Sequence, residues 1–469
     1  MKLCTIPRIP AVFQEICRIA CCTALLNSSL SPSVVLPSSP RYSDLVNKHY
    51  TSSAPLQPAC FFRPQSTKQV AMGVSILVES DGSPQCQFAI RGGGHTPWKG
   101  AAGAEGSVTI DLALINSTLY NSDTSSVTIM GGAKWGDVYK TLQPYGVAVT
   151  GGRSDTVGVG GLIIGEGLSY FGNKYGLACD NVVNFEVVLS NGQWITANHT
   201  SYPDLFRALK GGGINLGIVT KVELRAFEQG PLWGGLIGHA SASISQQNTA
   251  LVTLTSNLVQ DPHAQVVTIW NYNAKSKATV VASGLQYTLG AENPAIFREF
   301  LEIPRTFSTL RRTDIYDLMM ETTPPPGKRA LFLTLTFGND VRVLEQLRTL
   351  HDESIEAATP RAVSTDWDFI TFLQPFPSVL GDASKRKENI LVYLLFLAWE
   401  SPRDDGLFHE IGYSLIGKLK DYSEGIGAGS DYIYMNYAGR DQNPLRGYGE
   451  ENLQQLKAMA RKYDSTGVF

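Results

Sequence analysis

The stretch Phe88-Ala89-Ile90-Arg91-Gly92-Gly93-Gly94-His95 decides how the rest of the chain is read. A short apolar run with the look of a strand ends in three consecutive glycines and a histidine. With no Cβ, glycine lets backbone N–H groups approach an anionic or flat ligand closely and tolerates positive φ. A histidine closing such a loop is set to touch whatever the loop cradles. The competing reading is a tight turn with a solvated histidine, and local sequence does not separate the two.

Two further glycine stretches widen the pattern. One is Gly151-Gly152-Arg153-Ser154-Asp155-Thr156-Val157-Gly158-Val159-Gly160-Gly161, running on to Gly165-Glu166-Gly167; the other is Gly211-Gly212-Gly213-Ile214-Asn215-Leu216-Gly217-Ile218-Val219. None of the three fits G-x-G-x-x-G, because Pro97, Ile163 and Leu216 stand where the third glycine belongs, which disfavours the doubly wound dinucleotide fold. Loops this far apart share a function only by converging on one extended ligand. A dinucleotide cofactor with pyrophosphate, adenine and a flat redox ring suits them.

The text around the loops is that of an α+β protein. Short runs at Gln87 to Ile90, Val108 to Leu112, Val127 to Met130, Val182 to Leu189 and Ile218 to Phe227 read as strands joined by glycine-rich connections. Ser66 caps an expected helix with Val70, Val74 and Leu77 on one face. After Pro231 the glycines thin out and helices such as Asn293 to Ile303 and Val343 to His351 alternate with strands such as Leu331 to Phe337 and Ile390 to Ala398. Gly449 to Phe469 reads as an amphipathic helix. Four segments follow: a lead over 1–54, irregular over 27–58; a cofactor unit over 55–228; a second unit over 229–430; and a closing segment over 431–469.

Composition narrows the classes. The 469 residues are 43% hydrophobic and 17% charged, which is an ordered chain long enough for several cores. Lys and Arg number 39 against 42 Asp and Glu, without a basic run, so no footprint for nucleic acid is present. No apolar stretch approaches the length of a membrane span, so no membrane insertion is expected. The seven histidines never lie within five residues of one another, which argues against a metal site. G-x-S-x-G is absent, and Gly412-x4-Gly417-Lys418 is followed by Leu419 inside a helix-periodic stretch, so neither a hydrolase nor a phosphate loop is supported. Five of the seven cysteines precede residue 61, and sequons begin at Asn27, Asn116 and Asn198. These favour a secretory route, whereas Gln14, Glu15 and Arg18 interrupt the apolar run an ordinary signal peptide needs, leaving an intracellular location as the alternative.

Taken in order, Cys60 to Ser66, Arg91 to His95, Val108 to Leu112, Thr156 to Gly161, Gly211 to Thr220, Tyr434-Met435-Asn436-Tyr437, Tyr448 to Leu453 and Lys462 to Asp464 resemble the vanillyl-alcohol-oxidase/PCMH superfamily of FAD enzymes, in its berberine-bridge-enzyme-like branch of fungal type. The resemblance implies a PCMH-type FAD-binding domain with an inserted α+β substrate domain, an antiparallel sheet flanked by helices. It implies FAD bonded covalently to the ring of His95. Many members add a second bond through a cysteine where this chain has Ser154, so a single bond is expected. Arg91, Gly92, Gly93, Gly94, Thr96, Ser154, Thr156, Val157, Gly158, Gly160, Gly161, Ile218 and Val219 take cofactor-binding positions, and Asn436 the position near the ribityl chain.

Tyr437 takes the position of the catalytic base, removing a substrate proton while hydride passes to flavin N5. A tyrosine doing this near neutrality needs a cation or proton relay at its phenol. Val157 matches the position at which a small residue leaves room for O2, so the resemblance implies an oxidase acting on a small organic molecule, plausibly in secondary metabolism. A redox-neutral flavin cyclase and a flavin-binding protein without turnover are the alternatives. Glu166 and Ile214 replace residues usually glycine in the family. The resemblance also implies a disulfide from Cys22 or Cys21 to Cys60.

Overall fold

Cys60–Phe62, Val108–Asp111 and Phe88–Arg91 lie side by side as parallel strands, with Val34–Val35 added antiparallel to Cys60–Phe62. The first two are wholly buried, as their aromatic and β-branched text requires of a sheet covered on both faces. In this computed structural model, residues 20–79, 86–322, 326–376 and 389–469 are described. The helix Thr67–Glu79 covers one face of the sheet; the Gln69 N–H donates to Ser66 Oγ at 3.3 Å, and Val70, Val74 and Leu77 are fully buried.

Cys22 is bonded to Cys60, resolving the choice between neighbouring cysteines. Cys86 is bonded to Cys21. Both bridges tie the helical segment 20–26 to this sheet, closing loops of 65 and 38 residues, each worth ~4 kcal/mol taken singly on chain-entropy grounds. Cys179 is a buried free thiol, and Cys4 and Cys17 lie outside the described residues. The lead is less irregular than expected, containing the helical turn Tyr42–Val46.

A five-stranded antiparallel sheet follows, in the order Thr118–Asn121, Ser126–Met130, Ile218–Arg225, Val182–Val188, Trp194–Ala197. Its core includes Trp135, Val159, Ile163 and Phe185, all fully buried. The largest sheet is antiparallel and central to the remainder: Arg305–Ser308, Leu232–His239, Ala278–Tyr287, Ala264–Asn273, Asp368–Phe376, Ile390–Trp399 and Arg329–Gly338, with Arg311–Thr313 also paired to Leu232–His239. The helices Ile244–Asn257, Val341–Ala358 and Asp405–Gly425 cover one face of it. Gly412 to Lys418 lies inside the last of these, so the phosphate-loop spacing is a helix and nothing more.

Alternation with period two divides the side chains of the sheet between its faces. Leu331, Leu333 and Leu335 enter the helical core, while Ala330 and Phe332 join Ile370, Leu394, Phe396 and Ala398 in a separate apolar cluster on the other face. The edge strand Arg329–Gly338 is closed by irregular chain: Gln442 exchanges hydrogen bonds with both backbone groups of Thr334, at 3.0 and 2.7 Å, and Gly338 N–H donates to Ala428 O. That docking carries the one-turn helix Met435–Tyr437 onto the apolar cluster. The helix Glu450–Tyr463 ends against Pro203–Ala208, with the Lys462 ammonium and the Tyr463 hydroxyl both on Asp204.

Candidate active site

The glycine loops meet backbone to backbone. A Cβ on Gly93 would stand 2.4 Å from Gly158 N, and one on Gly158 would stand 2.4 Å from Gly93 N. Gly131 joins them: a Cβ there would lie 2.4 Å from Val219 O, and one on Gly160 would lie 2.9 Å from Gly131 O. Segments around 93, 131, 158 and 219 therefore pack without side chains between them. Beyond Gly161 there is open space, with nothing within 4 Å of an added Cβ. Gly131-Gly132 escaped the sequence reading, although a glycine pair directly after the strand Ser126–Met130 was a signal of the same kind.

Not every glycine serves that contact. Cβ atoms on Gly151 and Gly152 would run into the fully buried indole of Trp135, so this pair exists to let a core tryptophan through. Gly212 packs on Ala208 O at the end of the helix Pro203–Ala208. Arg91 also does structural work. Its guanidinium is buried, paired with Asp111 at 3.1 Å, donating to Leu45 O at 2.6 Å and lying over the Phe61 ring. The side chain is thus engaged within the protein.

His95 is half-buried. Its Nε2 lies 3.2 Å from Thr156 Oγ1, and its ring stacks on Tyr50 with centroids 3.9 Å apart and planes 17° from parallel. Burial, aided by the nearby Lys134 charge and opposed by Asp155, pushes its pKa down to about 4, so the imidazole is neutral at physiological pH. Ser154 Oγ lies 3.4 Å from the same Thr156 hydroxyl, and Val157 is half-buried between Ser154 and Gly158. Thr96 is exposed, and Ile218 and Val219 are buried at the start of the strand Ile218–Arg225.

On the other side of the site, Arg153 Nη2 donates to the Tyr437 phenol oxygen at 3.1 Å and also to Gln374 Oε1. Gln374 is buried on the strand Asp368–Phe376, and Tyr437 packs edge-on against Tyr434 with centroids 4.8 Å apart. This places a guanidinium at the Tyr437 phenol, a neighbour the sequence reading did not assign. Arg153 sat in plain view inside the second glycine stretch, and Gln374 announced itself only as a polar residue in an apolar run. Tyr437 and Tyr50 border the same apolar sheet face, formed by Phe332, Ile370, Leu394 and Phe396. The Asn436 amide is committed to backbone: Oδ1 accepts from Gly167 N at 3.1 Å and Nδ2 donates to Leu162 O at 3.1 Å, which pins the end of the helix Val159–Ile164.

Glu166 adopts φ +91°, where the family's glycine is at ease, and is buried with Tyr432 OH donating to it at 2.6 Å. Burial pushes its pKa from 4.5 to about 7, against the opposing pull of Tyr432 and Tyr448. A raised carboxyl pKa gives stability that is present in full below the unfolded value and is lost as pH rises through the folded one. Relative to Glu166→Gln, the wild type is expected to lose ~3 kcal/mol of stability between about pH 4 and pH 8. Unfolding of both proteins followed across that range checks this; a pH-independent gap would contradict it.

Four segments meet backbone to backbone, with a neutral histidine beside them. Residues 58–198 match the FAD binding domain family. The FAD-dependent monooxygenase drtC of Aspergillus calidoustus is 37% identical over 460 residues, covering 96% of this chain and 88% of that protein. Among solved structures, 6-hydroxy-D-nicotine oxidase of Arthrobacter nicotinovorans has a TM-score of 0.79 at 21% identity, covering 93% of this chain and 96% of that one. A glucooligosaccharide oxidase of Acremonium strictum, described as carrying 6-S-cysteinyl, 8α-N1-histidyl FAD, has a TM-score of 0.76 at 19% identity, covering 96% and 97%. The chain belongs to the family of FAD-dependent oxidoreductases that includes the A. calidoustus protein, and its fold is the one these solved oxidases share. Among the described residues no helix is long and apolar enough to cross a membrane, and no cluster of His, Cys, Asp and Glu could hold a metal.

Proposed function

We propose that this protein is an oxidase that holds FAD by one covalent bond to His95 and oxidises a small, largely apolar organic molecule of secondary metabolism, with Tyr437 as base. The supporting observation is the meeting of Arg153, Gln374 and Tyr437 beside an apolar sheet face whose other border is the Tyr50–His95 stack. Residues 55–228 with 431–469 form the flavin unit in this reading, and 229–430 supply the wall against which substrate lies.

The residues present fit the cofactor. Gly93, Gly131, Gly158 and Gly160 bring the loops together backbone to backbone, Gly161 opens on free space, and Thr156, Val157, Ile218 and Val219 border that junction, where a pyrophosphate and a ring would lie. Bound there, FAD supplies a two-electron acceptor that takes hydride at N5 and passes the pair to O2. The neutral His95 ring, with Nε2 occupied by Thr156, offers Nδ1 for attachment. Ser154 has no thiol to make a second bond. The Arg153 guanidinium faces the Tyr437 oxygen and stabilises its phenolate by a charge-assisted contact stronger than a neutral one, and that phenolate takes the substrate proton and becomes the neutral phenol. Phe332, Leu394 and Phe396 keep water from that oxygen and prefer a substrate with apolar surface. Two disulfides in the lead support passage through an oxidising compartment.

The test is to precipitate the purified protein and His95→Ala with acid. Yellow colour is expected in the wild-type pellet and in the supernatant of the variant, and a colourless wild-type preparation would defeat the oxidoreductase reading. Substrate screening by H2O2 release then follows. The name of the A. calidoustus relative favours a second reading, oxygen insertion, which ¹⁸O2 label in the product would reveal. Turnover without any bleaching of the flavin would instead mark a redox-neutral cyclase.

A further inference from the structure

Tyr50 belongs to no glycine motif and stands in the lead segment, yet it is the side chain stacked face to face on His95, at 3.9 Å between centroids. The chain around it is bonded on two sides. Toward the flavin loop, Tyr50 N–H donates to Gly94 O at 3.0 Å, and the hydroxyls of Thr51 and Ser53 donate to Pro97 O at 3.2 and 3.1 Å. Toward the large sheet, Gly327 N–H donates to Tyr50 O at 3.0 Å, Ser52 N–H to Lys328 O at 3.0 Å, and Ala330 N–H to Ser53 Oγ at 3.1 Å. Residues 50–53 are thus a strap sewn to the histidine loop along one side and to the end of the edge strand Arg329–Gly338 along the other.

We infer that Tyr50 is a positioning residue that fixes the plane of the His95 ring for its bond to the flavin, and that the strap holds this stack against the substrate-facing sheet. The inference rests on the reading of His95 as the attachment residue. An imidazole on a glycine-rich loop turns about two side-chain bonds, whereas bond formation needs the nitrogen within about 3–3.5 Å of the carbon and aligned with it. Thr156 holds one ring nitrogen at 3.2 Å, which fixes rotation within the plane, and the Tyr50 face fixes the plane itself. Together they leave Nδ1 as the nitrogen that reacts. In the net exchange one C–H of the flavin 8α-methyl and the imidazole N–H give way to a C–N bond, and the two electrons and two protons released reduce O2 to H2O2.

Packing alone does not account for the arrangement. Tyr50 also borders Phe332, Phe396 and Ala398, and against that apolar cluster any bulky hydrophobe would serve. The face-to-face contact, 17° from parallel, is made to His95. Tyr50→Phe preserves the aromatic face, whereas Tyr50→Leu preserves bulk and loses it.

The experiment measures, for wild type and both variants as purified, total flavin per chain and the fraction that stays in the acid-precipitated pellet. Wild type and Tyr50→Phe are expected to keep nearly all flavin in the pellet. Tyr50→Leu is expected to bind flavin as the wild type does but to show about a tenfold smaller pellet fraction after equal exposure to the cofactor. A pellet fraction unchanged in Tyr50→Leu, or lost equally in Tyr50→Phe, would overturn the inference. So would a loss of total flavin in Tyr50→Leu, which would mean that Tyr50 acts in binding and not in attachment. Wild-type flavin found wholly in the supernatant is a different failure, that of the covalent reading itself.

Discussion

Tyr437→Phe is expected to lower kcat by ~10²–10⁴-fold, the contribution typical of a positioned general base, while flavin content and thermal stability stay at wild-type values. The hydroxyl accepts from Arg153, and the ring rests on Tyr434 and the apolar sheet face, contacts that phenylalanine keeps apart from the one hydrogen bond. Arg153→Met should reproduce most of the loss, because a phenolate formed at Tyr437 would then have no cation beside it. Near-normal turnover in Tyr437→Phe would reduce the residue to a packing role and send the search for a base elsewhere.

The second large effect is expected at a position that carries no functional group. In Gly158→Ala the new methyl would stand 2.4 Å from the Gly93 nitrogen, backbone against backbone, where no side chain can turn aside. Overpacking of this kind costs ~1–3 kcal/mol, and relief comes only by separating the two glycine loops. Flavin content is therefore expected to collapse together with the thermal midpoint. Gly161→Ala is the control for the fold, since its methyl enters open space; its thermal midpoint should match the wild type. Equal flavin occupancy in Gly158→Ala and wild type would show that the loops do not meet around the cofactor.

The glycine loops were legible because each glycine answers a local demand of the backbone that leaves a mark in the sequence. Their separate duties were not. Gly151-Gly152 and Gly158-Val159-Gly160 look alike as text, but the first pair clears room for Trp135 and the second brings two backbones together. The side-chain duty of Arg91 was equally hidden, because its buried partner, Asp111, stands on the neighbouring parallel strand. Glu166 was noticed as a departure. Its positive φ and burial explain why glycine is the ordinary occupant there.

By itself, the amino-acid sequence determined the α+β character, the helix begun at Ser66 and the strands that feed the loops, since all of these follow from alternation, capping and glycine content within short windows; Tyr437 and the role of His95 were named only through the resemblance to a known family. Only the tertiary structure decided that Cys86 pairs with Cys21, that Arg153 and Gln374 close on Tyr437, and that Tyr50 lies on His95. Arg153 meets Gln374 across 221 residues and Tyr437 across 284. No local periodicity encodes such meetings, because they depend on which face of a large sheet is left uncovered by helices and on which irregular segments close its edge.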